Sequence, residues 1–280
     1  MNIAISGSTA SRVKELADAF QYLRRIGGRS EHVGFGPALF NHLNCRPKIM
    51  HSFVWSMLLD GKYHDWLISG FFLSIELLFI TLVLVLPLAI IVAVLRMSPW
   101  IVFRAIGTGY VEVIRNIPLL VHMLFWYFGA PELLPESAKA WLYRGNVEIV
   151  SAIVALVLYT AAYMAEDIRS GIRGIAKEQM EAARSLGFSF LMAMRLVILP
   201  QSLRSITPPL ISQALNLWKN TSIAMVIGVM EMMFQAAQVE SASFKGFEPY
   251  AFATVGYVGV SLAISACAVL YERKFPLTRA

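Results

Sequence analysis

The 280-residue sequence predicts an all-α integral membrane protein with five membrane-spanning helices. Three observations carry that expectation. Hydrophobic residues make up 57% of the chain and charged residues 15%, against about 25% charged in soluble domains. Five apolar runs, at 68–95, 104–129, 148–171, 205–229 and 250–272, each reach the ~20 residues that cross a bilayer. Lys and Arg concentrate in alternate loops between those runs. The net charge of +6 is therefore spread along basic loops and suits an anionic membrane surface, not nucleic acid.

Residues 1–49 read as a basic, weakly periodic extension with seven Lys and Arg against three acids. Val13 to Leu23 has the spacing of a short amphipathic helix, and Gly27, Gly28, Gly34 and Gly36 then favour loop. The first 20 residues lack the apolar core of a signal peptide. The extension is expected to be dispensable, with translation beginning at Met50. Residues 50–67 form an external lead-in whose Tyr63 to Leu67 segment is an interfacial aromatic anchor. Cys45 and Cys267 have no His or Cys at ligand spacing, so no metal site is expected. His122, the only His within a span, is expected to be a packed or hydrogen-bonded side chain; no catalytic set surrounds it.

Orientation follows from the short loops. Arg96 and Arg104 lie in one, Arg173, Lys177, Arg184, Arg195 and Arg204 in another, and Arg273, Lys274 and Arg279 in the tail (273–280). The loops holding Glu132, Glu136 and Glu148, and Glu231, Glu240 and Glu248, are acidic or neutral. The positive-inside rule then places the C-terminus and the 173–204 loop in the cytoplasm and the N-terminus outside. That order conflicts with the basic character of residues 1–49.

Charged residues inside the spans each cost about 2.5–3.5 kcal/mol on insertion scales unless they face protein or water. Glu76, Glu112, Arg115, Glu166, Asp167, Arg169 and Lys219 are such residues. Glu112 with Arg115, and Glu166 with Arg169, are spaced to pair on one helical turn. Internal salt bridges and ligand contacts both fit those pairs; Glu76 reads as a packing acid against a neighbouring helix. Pro118, following Arg115 and Asn116, reads as a helix-interior proline that removes a donor and frees a carbonyl one turn back, the kind of break that suits a cavity. Asn216, Lys219, Asn220, Thr221 and Ser222 crowd the fourth span, which favours a water-lined path, although polar residues there also bind helices together.

The 173–204 loop is a polar island with an internal order. Glu181, Ala182 and Ala183 continue a helix that Gly187 is expected to stop, and a second short helix from Leu191 leads to Leu199 and Pro200. A loop that keeps Ala182, Ala183, Leu186, Leu191, Met192 and Met194 opposite its charges is built to dock on something; an ordinary amphipathic interfacial hairpin is the plainer alternative. The stretch resembles the EAA loop of ABC importer permeases, E-A-A-x3-G-x9-I-x-L-P, with Val197 where the family prefers Ile. The segments Val111 to Leu120, Phe125 to Tyr127, Pro131 to Glu136 and Lys219 to Ser222 extend the resemblance over most of 65–275, and look like the polar amino acid branch, most of all its glutamate/aspartate permeases. Residues 1–49 have no counterpart in that pattern.

The resemblance implies a type I importer fold of five helices, in which Glu181, Ala182, Ala183, Gly187, Leu199 and Pro200 couple to a cytoplasmic ABC ATPase. It also implies a second permease subunit, same or related, and a periplasmic amino-acid-binding protein. ATP and Mg would bind the ATPase, since the sequence has no phosphate loop and no cofactor is expected on this chain. Candidates for the substrate path are Arg115, Asn116, Glu166, Asn216, Lys219, Asn220 and Thr221. The rival reading is a proton-coupled secondary transporter with Glu112 or Glu166 as carrier, although no inverted repeat is visible.

Overall fold

A computed structural model of the chain describes residues 55–275. The basic extension, its candidate helix, Cys45, Met50 and most of the C-terminal tail lie outside the described residues. Those described form helices joined by short connections, with no strand among them. After a short turn of helix, α1 (Ser56–Leu59), comes α2 (Lys62–Met97), with Asp65 in its first turn and Arg96 in its last, each complementing the helix dipole. Lys62 stands over the Trp66 ring and Tyr63 meets Trp66 edge-on, so the head of α2 is an aromatic cluster.

Two long helices follow the same logic. α6 (Val147–Arg173) begins with Glu148 and ends with Arg173, and α11 (Phe247–Lys274) begins with Glu248 and ends with Arg273 and Lys274. Between α2 and α6 lie α3 (Ile101–Arg115), α4 (Leu119–Leu124, prolonged by a π turn and a 3₁₀ turn to Leu133) and α5 (Glu136–Tyr143). Between α6 and α11 lie α7 (Lys177–Ser185), α8 (Phe190–Ala193), α9 (Leu199–Asn220, prolonged as 3₁₀ to Ile227) and α10 (Met232–Ser243).

α6 is the central post, packing against α2, α3 and α9. Its buried face is mostly small, with Ser151, Ala152, Ala155, Thr160, Ala161, Ala162 and Ala165 beside the larger Leu156, Met164 and Ile168; the small side chains let neighbouring backbones approach where no hydrophobic effect separates helix from lipid. Gly171 marks the closest approach to α9: a Cβ there would sit 2.2 Å from Ile206 Cγ1. Many large apolar residues point the other way, although Leu67, Leu77, Leu156 and Trp218 are fully buried. Phe72, Phe79, Val83, Ile90 and Val94 on α2, and Val255, Val258, Leu262 and Leu270 on α11, are exposed, the inverse of a soluble protein.

Among the described residues three helices, α2, α6 and α11, are each long and apolar enough to cross a membrane unbent; the count there reaches five when two bent pairs are taken as one span each. α3 and α4 meet at 103°, so the expected span 104–129 is two helices joined by a corner. Pro118 is not inside a helix: it is the extended residue before α4, and Asn116 ends α3, its Nδ2 donating to the Glu112 carbonyl at 2.7 Å. The second pair bends by 48° after Ile227.

The acidic 231–248 loop also departs from expectation, because it contains α10. Met232, Ala236 and Val239 are fully buried against α2 and α11. The acid that suggested a loop, Glu231, is the N-cap, accepting from Met233 N (3.0 Å) and Phe234 N (2.8 Å). Its Oε2 also accepts from Tyr257 Oη (2.8 Å) and Ser74 Oγ (3.2 Å), so one carboxylate ties α10 to α2 and α11.

Candidate functional site

Two regions collect the polar residues. The first is a cavity of about 590 Å³ between α6 and α9, lined by Tyr159, Thr160 and Tyr163 from one helix and Gln213, Asn216, Leu217, Lys219 and Asn220 from the other. Its volume lies within the range of small-molecule sites. Helical spacing explains the lining: Tyr159 and Tyr163 are one turn apart, and Gln213, Asn216 and Asn220 recur at intervals of three and four. The two tyrosine hydroxyls are 3.2 Å apart, and the Arg115 guanidinium stands 4.9 Å from the centre of the Tyr163 ring. At the other end Gln213 Nε2 donates to Asp167 Oδ2 at 2.9 Å. The cavity thus carries cations beside Tyr163 and Asn220, and an anion behind Gln213.

The second region is the helix–bend–helix of α7 and α8. Gly187 has φ +86°, a left-handed conformation that an L side chain resists. Phe188 N reaches Ala183 O at 3.2 Å and Gly187 N reaches Arg184 O at 3.0 Å, the paired bonds of a Schellman stop. Ser189 then starts α8, its Oγ accepting from Met192 N. Ala183, Ala193 and Ile198 are buried, whereas Leu186 and Leu191 are 77% and 76% exposed. The tip of the bend thus presents exposed leucines beside its charged residues.

A sequence-family model described as the binding-protein-dependent transport system inner membrane component matches residues 85–275. The chain belongs to this family. The permease is 39% identical to a probable glutamine ABC transporter permease of Bacillus subtilis over 75% of this chain and 89% of that one. It is 34% identical to the glutamate/aspartate import permease of Escherichia coli K12 over 78% and 90%. A crystal structure of an amino acid ABC transporter with histidines superposes with TM-score 0.67 at 32% identity, covering 76% of this chain and 95% of that one. The permease is therefore a multi-pass membrane component of an amino acid ABC importer, a transport subunit in kind and not an enzyme.

The cavity gathers only part of the set expected from sequence. Asn216, Lys219 and Asn220 line it, and Arg115 lies against one of its walls. Asn116 does not; its side chain is spent on the end of α3. Thr221 is buried and bonds back to Trp218 O at 2.8 Å, while Ser222 bonds to Lys219 O, so both serve the change from α to 3₁₀ winding. Glu166 is absent from the lining because it is held in ion pairs by Arg96 of α2 and Arg169 of its own helix. The expected pair of Glu112 and Arg115 does not form, since Arg115 turns to Tyr163, and Glu76 is exposed among Phe72, Phe79 and Ile80 rather than packed against a neighbour.

Tyr159, Thr160, Tyr163 and Gln213 were missed from sequence. Tyr and Thr are common packing residues in spans, so composition alone gives no alarm. The signal available was periodic: Tyr159, Tyr163 and Asp167 repeat every four residues along α6.

Proposed function

We propose that this permease carries an acidic amino acid, glutamate or aspartate, inward across the bacterial inner membrane by alternating access, powered by a separate ATPase. The observation that carries the reading is the cavity between α6 and α9, a polar chamber within the membrane-spanning bundle whose lining cation is Lys219 and whose wall at Tyr163 is backed by Arg115. Two cations near one small chamber favour a ligand with two carboxylates. The 34% identity to a glutamate/aspartate permease supports this substrate class, and the 39% identity to a probable glutamine permease supplies the competitor.

In this reading the α7–α8 bend is the EAA-type coupling element. Glu181, Ala182, Ala183, Gly187, Leu199 and Pro200 shape it, and exposed Leu186 and Leu191 enter a groove of the ATPase, which holds ATP and Mg. A stiff bend transmits the closure of its partner to α9, because α8 runs on through a π turn into that helix. The bend and the C-terminus face the cytoplasm and the N-terminus faces outward, where a binding protein delivers the amino acid. A second permease subunit, the same chain or a related one, completes the pathway.

The test is uptake into proteoliposomes holding the permease, its ATPase and its binding protein, with labelled L-glutamate, L-aspartate, L-glutamine and L-arginine offered separately. ATP-dependent accumulation of L-glutamate or L-aspartate above the other two is expected. Preference for L-glutamine or L-arginine overturns the acidic assignment, and accumulation without ATP overturns the ABC mechanism.

A further inference from the structure

We propose that the inner end of the cavity is an ammonium subsite, in which the Gln213 side-chain carbonyl accepts from the α-ammonium of the carried amino acid and Asp167 holds that carbonyl in place. The inference rests on reading the cavity as the transport site. It begins with the 2.9 Å bond from Gln213 Nε2 to Asp167 Oδ2. A carboxylate only accepts, so the amide must turn its NH₂ group toward Asp167. Gln213 Oε1, the side chain's one acceptor, is left unengaged by that bond on a residue that lines the cavity.

An amide oxygen facing a cavity with an anion one bond behind it selects a donor of positive charge. A hydroxyl or neutral amide would satisfy the oxygen but gain nothing from Asp167. Lys219 lies six residues further along α9, roughly 9 Å up the helix axis at 1.5 Å per residue. Asp167 backs the inner end and Lys219 stands at the outer one, while Arg115 at the Tyr163 wall lies between them and also acts on Asp167; this orients a zwitterion with its ammonium inward at Gln213 and its carboxylates toward Lys219 and Arg115. Asp167 touches no ligand here; it is a positioning residue that acts through Gln213. Neither residue emerges from the sequence as a substrate contact, because the hydrogen bond joins α6 to α9 across 46 positions.

The experiment is equilibrium binding of labelled L-glutamate to the purified permease–ATPase complex in nanodiscs, without binding protein, with glutarate as the probe that keeps both carboxylates and lacks the ammonium. Gln213→Leu is expected to weaken L-glutamate about tenfold and Asp167→Asn about threefold, while the glutarate inhibition constant stays at its wild-type value. Equal weakening of both ligands, with a lowered melting temperature, would reduce the pair to a helix crosslink and overturn the subsite. Unchanged L-glutamate affinity in Gln213→Leu would overturn it as well. If the wild-type complex binds L-glutamine and not L-glutamate, the acidic-substrate reading fails by itself; L-glutamine against 4-carbamoylbutanoate then judges the subsite by the same criteria.

Discussion

His122 Nε2 donates to the Ile114 carbonyl at 3.2 Å, across the corner between α3 and α4. In a continuous helix that carbonyl would receive the N–H of residue 118, but residue 118 is Pro and has none. Ile117 N reaches the same oxygen only at 3.4 Å. The imidazole, on a residue only 4% exposed, thus supplies the donor that the proline removed and stabilises a 103° turn inside the bundle.

Replacing that donor is expected to be costly out of proportion to volume. His122→Leu leaves that carbonyl only the strained backbone contacts of the corner, from Asn116 N and Ile117 N, in an apolar setting, a loss of about 1 kcal/mol. Thermal unfolding of the purified protein in detergent should fall accordingly, and His122→Gln, which keeps an N–H donor, should recover part of the loss. Equal melting temperatures for wild type and His122→Leu would show that the corner holds without the bond.

Glu166 joins Arg96 at the end of α2 to Arg169 on α6, and the three side chains are only 10–24% exposed. Removing the acid alone, as Glu166→Leu, strands two guanidiniums and should destabilise by about 3 kcal/mol. Replacing all three residues by Met should restore much of that stability, since the penalty comes from uncompensated charge. Fluorescence-detected size-exclusion after a heat ramp distinguishes the single from the triple variant.

Gly187 has open space around the position of a Cβ, so a side chain there meets no clash and is opposed by its backbone angle alone. Gly187→Val should cost about 1–2 kcal/mol locally. Membrane insertion should be unaffected, while co-purification with the ATPase or transport declines. Gly187→Asn, which tolerates positive φ, should be milder. Wild-type transport by the Val variant would remove the bend from the coupling mechanism.

A cysteine at Asn220 should react with a water-soluble thiol reagent and be protected by substrate, because Asn220 lines the cavity. Leu84, exposed on the outer face of α2, is the lipid-facing control. Asn116→Cys is expected to be insensitive to substrate, since that side chain belongs to the end of α3. The labelling is done after Cys45 and Cys267 are changed to Ser. Equal labelling rates at Asn220 and Leu84 would place Asn220 outside a wet cavity.

Much of the architecture was legible because it is written locally. A run of ~20 apolar residues needs a membrane wherever it folds, so the long helices near 68–95, 148–171 and 250–272 could be read directly. α10 was hidden for the opposite reason: Glu231, Gln235 and Glu240 make a 12-residue helix look solvated, and only its packing against α2 and α11 shows one face buried. Arg115 and Glu112 share a turn, which made an ion pair the economical expectation, but a tyrosine 48 residues away on another helix offered Arg115 a closer ring.

By itself, the sequence determined what depends on near neighbours along the chain. The stop at Gly187 follows from one residue's freedom at positive φ, and the break at Pro118 from one missing N–H. Tertiary structure alone decided which polar residues meet. Rotation of α6 and α9 about their axes brings Tyr159, Tyr163, Gln213, Asn216 and Lys219 to one chamber, and turns Thr221 back into the bundle. That rotation is set by small residues such as Ala162 and Gly171 fitting against other helices, a sum of weak contacts that no window of sequence contains.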